Sequence, residues 1–115
     1  MVTLNPAQLG EMLKSEQKAK STKIRASARG KTCFVCIPSI CDGGGDTTVL
    51  AHLHGGGMGS KTLDIHAAYC CSACHDVIDG RIPSSLSKET LTRYHLEGVI
   101  RTQKELVREG LLSYV

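Results

Sequence analysis

Six cysteines in 115 residues fall into two tight groups, Cys33, Cys36 and Cys41 in the first and Cys70, Cys71 and Cys74 in the second. No other feature restricts the folding of this chain as strongly. The aromatic residues are Phe34, Tyr69, Tyr94 and Tyr114 alone, there is no Trp, and the hydrophobic share is 41%. A chain of this size and composition makes one domain with a thin core, and such domains draw stability from disulfides, a metal or a partner. No apolar run approaches the ~20 residues of a membrane span, and the N-terminus has no hydrophobic segment leading to a cleavage site. A cytosolic protein without membrane association is expected. In a reducing compartment, clustered cysteines serve as metal ligands or redox groups rather than disulfides.

Two short-spaced pairs suit tetrahedral zinc, one from a tight turn and one from the first turn of a helix, where the helix dipole favours thiolate. Cys71-x-x-Cys74 is the second pair, because Cys70 is adjacent to Cys71 and the two side chains point apart. For the first pair, spacing prefers Cys33-x-x-Cys36 and permits Cys33 with Cys41 or Cys36 with Cys41. Buried free thiols are the plain alternative. A thioredoxin-like redox motif lacks its βαβ context.

Charge is uneven along the chain. Seven basic and two acidic residues give residues 1–31 a net charge of +5, whereas the other 84 residues carry seven basic and nine acidic side chains. From Lys18 to Lys31 there are six basic residues and no acid. Such an arm suits a phosphate backbone, and its plain alternative is a solvated, solubilising segment. The absence of interleaved aromatics argues against base stacking.

Residues 1–22 read as a mobile or partly helical leader and 23–115 as the domain. Thr32–Val35 and Thr47–Leu53 are expected strands of a hairpin-like finger, separated by the Asp42–Asp46 glycine loop. Gly55–Ser60 reads as an exposed loop, without the pattern of a phosphate-binding loop. A two-turn helix is expected from Cys71 to a left-handed stop at Gly80, with Pro83 barring continuation. A long helix should begin at an N-cap Ser87 and end near Glu109, before Gly110. Its stripe of Leu96, Val99, Ile100, Gln103 and Val107 is expected to pack on the finger.

Arg25-Ala-Ser-Ala-Arg-Gly-Lys-x-Cys33, Cys41, Val49-Leu-Ala-His52, Cys71-Ser-Ala-Cys-His-Asp-x-Ile-Asp79 and Glu97-Gly-x-x-Arg101-Thr-Gln103 together resemble the YbcO-like family of phages and prophages, described as nucleases of the HNH, treble-clef type. The resemblance covers roughly residues 24–112. It implies an α+β fold: a small zinc-stabilised treble-clef or ββα-metal finger with a long C-terminal helix. It also implies a Cys-x7-Cys first pair with Ile-Pro before the second Cys. Structural zinc would then sit on Cys33, Cys41, Cys71 and Cys74, with Cys36 the alternative to Cys41.

By the same resemblance, His52 would be the general base on water, and His75 would help hold a catalytic divalent cation, Mg2+, Mn2+ or Zn2+. Hydrolysis of a phosphodiester needs an activated water and a cation at the leaving oxygen. The chain departs from the commoner HNH pattern at Ala51, where an acidic ligand often stands, and in lacking the middle Asn. Asp79, four residues beyond His75 on the same helix face, and Asp64 are the replacement candidates, whereas Asp76 should point to solvent. His75 as a zinc ligand is an alternative, His54 and His66 are expected near the cleft, and His95 in packing or at the surface. The implied function is a metal-dependent DNA endonuclease in the cytoplasm of a bacterial host. The alternative is a non-catalytic zinc-stabilised nucleic-acid-binding or adaptor module of phage DNA metabolism, using the Leu96–Val107 face to meet a phage or host recombination or replication protein.

Overall fold

A two-stranded antiparallel sheet, a short helix and a long helix build the domain, in a computed structural model that describes residues 23–53 and 63–113. The expectations for the leader 1–22, the Gly55–Ser60 loop and His54 lie outside the described residues. Strand β1 is Val49–His52 and strand β2 is Ala67–Cys70, with Val49 opposite Cys70 and His52 opposite Ala67. A 3-10 turn, Asp64–His66, leads into β2. Helix α1 spans Ser72–Ile78 and helix α2 spans Lys88–Arg108.

The expected pairing of Thr32–Val35 with Thr47–Leu53 does not occur. Thr32 makes an isolated bridge to Gly44, and the Phe34 N–H donates to the Tyr69 carbonyl at 2.8 Å, on the edge of β2 away from β1. The physical reason is curvature: Cys36 and Ser39 both take positive φ, 53° and 66°, so the chain curls into a knuckle instead of extending. The partner of β1 is the run Ala67-Ala68-Tyr69-Cys70, in which every residue is buried. It shows no polar alternation because both of its faces are covered.

Both helices begin and end as the sequence predicts. The Cys71 side chain caps α1 by accepting from the Cys74 N–H, and Gly80 follows at φ 77°. The Ser87 hydroxyl oxygen accepts from the Thr90 N–H at 3.1 Å, and Gly110 stands beyond the last turn at φ 76°. The buried stripe of α2, however, lies one residue away from the one expected. His95, Gly98, Val99, Thr102 and Leu106 face inward, while Leu96, Ile100 and Val107 are exposed. Polar residues hold this face because each has a partner there. A His95 ring nitrogen meets the Ala51 carbonyl at 2.8 Å. The Thr102 hydroxyl accepts from the Tyr69 N–H at 2.9 Å and donates to the Gly98 carbonyl at 2.8 Å.

Gly98 lets α2 approach β2 closely. A Cβ there would sit 2.8 Å from Val35 Cγ2 and 3.1 Å from Ala68 Cβ. Overpacking of this kind costs ~1–3 kcal/mol, and the better helix propensity of Ala returns only ~1 kcal/mol. Gly98→Ala is therefore expected to lower the Tm in a thermal melt, and an unchanged or raised Tm would show that the helix can back away.

Two small clusters make the core. Val35, Ile37, Ala51, Ala68 and Val99 surround the thiols, while Ile24, Ala28, Tyr69 and Leu106 pack beneath the helical segment of residues 23–27. Tyr69 stacks at a tilt on Phe34, with centroids 5.3 Å apart, and shares a 2.7 Å hydrogen bond with Ser27. Burial pushes the Tyr69 phenol above its ordinary pKa. Lys31 pairs with Glu105, at 3.1 Å, and with Glu109, which ties the segment before the knuckle to the end of α2. Among the described residues, no helix is long and apolar enough to cross a membrane.

Candidate functional site

Four thiols from two separate stretches meet at one point. The sulfur atoms of Cys33, Cys41, Cys71 and Cys74 all lie within 4.8 Å of one another, and the Cys41 and Cys71 sulfurs are 4.0 Å apart. Four thiolates at about 2.3 Å from a tetrahedral zinc are about 3.8 Å apart, so the group could hold a metal ion such as zinc with little adjustment. Backbone N–H groups already point at these sulfurs: Cys36 at Cys33 (3.5 Å), Gly43 at Cys41 (3.3 Å), and Asp42 and Cys74 at Cys71 (3.5 and 3.4 Å). Such donors stabilise thiolate charge. The curled knuckle supplies the first two sulfurs, and the cap and first turn of α1 supply the others.

Cys36 and Cys70 stay outside this group. The Cys36 thiol donates to the Cys33 carbonyl at 2.9 Å, so the pair that local spacing prefers is not the one the knuckle brings together. All six cysteines are free thiols. Cys33 is held well below the usual thiol range by hydrogen bonds from Cys70 and Cys74. Those same contacts push Cys70 and Cys74 up, chiefly through Cys33, and burial first raises Cys41 to about 11. A dication bound here would take the sulfurs as thiolates and displace their protons.

The second arrangement is at the end of β1. The His52 Nε2 lies 2.5 Å from Asp64 Oδ1, and the Arg25 Nε donates to Asp64 Oδ2 at 3.1 Å. The Asp64 side chain is 4% exposed and His52 is 36% exposed, so the carboxylate is sunk behind a reachable imidazole. The turn that carries Asp64 is fixed from both sides: the Leu53 N–H donates to the His66 carbonyl at 3.0 Å, and Gln103 Nε2 donates to the Ile65 carbonyl at 2.6 Å. Arg25, Arg29, Thr48, Leu50 and His52 line an open pocket of about 330 Å³.

On α1, His75 Nε2 lies 3.1 Å from Asp79 Oδ2, as the four-residue spacing predicts, and Arg81 approaches the same oxygen at 3.4 Å. Asp76, expected to point to solvent, pairs with Arg81 at 3.2 Å. His66 is exposed and does not line the pocket. Among the described residues, the four-cysteine centre is the one group of three or more such side chains within metal-binding reach, so His52 with Asp64 and His75 with Asp79 stand as two pairs. Sequence reasoning did not foresee that Asp64 lies between His52 and Arg25. No local signal could have shown it, since Arg25 and Asp64 are 39 residues apart in the chain.

Fold and site together define a small α+β protein with a four-thiol centre and a histidine–aspartate pair beside an arginine-lined pocket. Residues 22–111 match the family model described as "Putative nuclease YbcO", and the chain belongs to that family. It is similar to the proteins of that description from Escherichia coli (strain K12) and from Enterobacteria phage 82. Each is 41% identical over 96 residues, which span 78% of this chain and 96% of the relative. It is also similar to a solved structure described as a "putative bacteriophage protein" from Escherichia coli K-12 MG1655. The two agree with a TM-score of 0.64 at 39% identity, over 76% of this chain and 100% of that one. These descriptions name a nuclease and a phage protein, and no HNH type.

Proposed function

We propose that this chain is a metal-dependent endonuclease that hydrolyses phosphodiester bonds of DNA in the cytoplasm of a bacterial host, with His52 as the general base. The observation that carries this reading is the buried Asp64 carboxylate 2.5 Å from His52 Nε2, at the edge of a pocket shared with Arg25 and Arg29. With Nε2–H donating to Asp64, Nδ1 is the nitrogen that takes a proton from water. The water oxygen bonds to phosphorus, and the P–O bond to the leaving sugar oxygen breaks. Asp64 stabilises the imidazolium that forms, as a carboxylate does behind any histidine base.

Cys33, Cys41, Cys71 and Cys74 would hold a structural zinc that joins the knuckle to α1. The order of knuckle, hairpin and helix supports a treble-clef, HNH-like reading of the finger. His75 and Asp79 would hold the catalytic cation, since a hard ion takes one or two protein ligands beside substrate phosphate oxygens and keeps several waters. When bound, that cation stabilises negative charge on the leaving oxygen. With Asp64 placed on His52 and Arg25, Asp79 is the better carboxylate for it.

A nicking assay on supercoiled DNA with Mg2+ or Mn2+ tests the reading. Nicking that requires the cation is expected, with Asp64→Asn slower by roughly 10²-fold because the amide no longer fixes the imidazole tautomer. Wild-type protein that binds DNA but leaves it intact with either cation would favour the non-catalytic module.

A further inference from the structure

We propose that the pocket beside His52 is a seat for one phosphodiester of the nucleic-acid strand, with Arg29 as its anion-binding residue. This rests on the nuclease reading only in placing the phosphate next to the base. Thr48, Val49, Leu50 and His52 all line the pocket. Residues of both parities along a strand reach one pocket only at its edge, because side chains alternate between faces. The register says what that edge offers. Tyr69 gives its carbonyl to Phe34 and its N–H to Thr102, so both its backbone groups turn away from β1. Its partner Leu50 therefore turns its own N–H away from β2, as does His52 two residues on. The Leu50 N–H thus faces the pocket side as a fixed donor.

Two guanidinium groups complete the seat. Arg25 uses Nε on Asp64 and retains the terminal N–H groups of its five donors. Arg29 is exposed, and among the described residues no carboxylate lies within ion-pairing distance of it. Lys31, the other cation near the knuckle, is committed to Glu105 and Glu109. Among the described basic residues of this segment, Lys31 is thus structural whereas Arg25 and Arg29 line the pocket. An anion bridged by Arg29 and the Leu50 N–H would lie in the same pocket as the His52 imidazole, within reach of a water that the base activates.

The test measures binding, without cleavage. Zinc-loaded protein with no added Mg2+ or Mn2+ is titrated against a labelled 16-base-pair duplex between 50 and 200 mM salt, as wild type, Arg29→Gln and Arg93→Gln. Arg93 lies on α2 outside the pocket and serves as the control for loss of a surface charge. Arg29→Gln is expected to weaken binding roughly tenfold and to reduce the slope of log K against log salt by about one. Arg93→Gln should leave both within about twofold. Inorganic phosphate should compete no better than its ionic strength alone explains. Equal losses in both variants, or no change of slope in Arg29→Gln, would overturn the seat. Competition by inorganic phosphate beyond ionic strength would also overturn it, by assigning the pocket to the free anion. An Arg29-dependent slope in a wild type that never nicks DNA would keep the seat and remove the nuclease reading, and nicking with an Arg29-independent slope would do the reverse.

Discussion

Cys41→Ser is expected to lose bound zinc and most of the folded population, while Cys36→Ser keeps both. The sulfurs decide this contrast: Cys41 is within 4.8 Å of the other three members of the centre, and Cys36 is turned to the Cys33 carbonyl. The core offers little to compensate. Its fully buried side chains are largely Ala, Cys and Val, with Tyr69, Ile37 and Leu106 the largest. Structural zinc contributes on the order of 10–16 kcal/mol of apparent binding free energy at neutral pH, against a total stability of about 5–15 kcal/mol for a domain. Loss of one ligand thus removes more than the thin core can replace. Metal content by mass spectrometry and the chelator dependence of a thermal melt measure it. Zinc retained in Cys41→Ser and lost in Cys36→Ser would place the first pair on the other thiol. Because zinc binding drives protons off the thiols, acidification should also release the metal.

Capping and stop signals for both helices were legible because they are local. Ser87 with Thr90 and Gly80 with its left-handed φ act within one turn, so neighbouring residues suffice to read them. The second strand was not legible, since Ala67 and Ala68 are poor strand formers and full burial removes the alternation that marks a strand. The buried face of α2 is not legible for a related reason. His95 and Thr102 are buried by specific partners, Ala51 and Tyr69, that lie 44 and 33 residues away, and a hydrophobicity count cannot include them. At the metal centre, spacing left three first pairs open, and the positive φ at Cys36 and Ser39 turns the knuckle so that Cys41 joins the others. The resemblance to the family implies the same pair. His52 was singled out from its place in that resemblance, whereas its connection to Asp64 and Arg25 exists only in three dimensions.

His52→Ala is expected to stop cation-dependent DNA cleavage while leaving zinc content, melting behaviour and DNA affinity close to wild type. The imidazole is 36% exposed at the end of β1, and its partner among the described residues is the Asp64 side chain, which Arg25 continues to hold when the ring is removed. The thiol centre draws on other segments entirely, the knuckle and the start of α1. Loss of a general base typically lowers the rate about 10²–10⁴-fold, a range that nicking of supercoiled DNA resolves wherever wild-type turnover is measurable. His75→Ala should also slow cleavage, but by weakening cation binding, so raising Mn2+ should recover part of its activity and none of that of His52→Ala. The two histidines are thereby separated by their response to metal. Full activity in His52→Ala would exclude it as the base. Equal rescue of both variants by Mn2+ would move His52 from proton transfer to cation binding, and Asp64 with it.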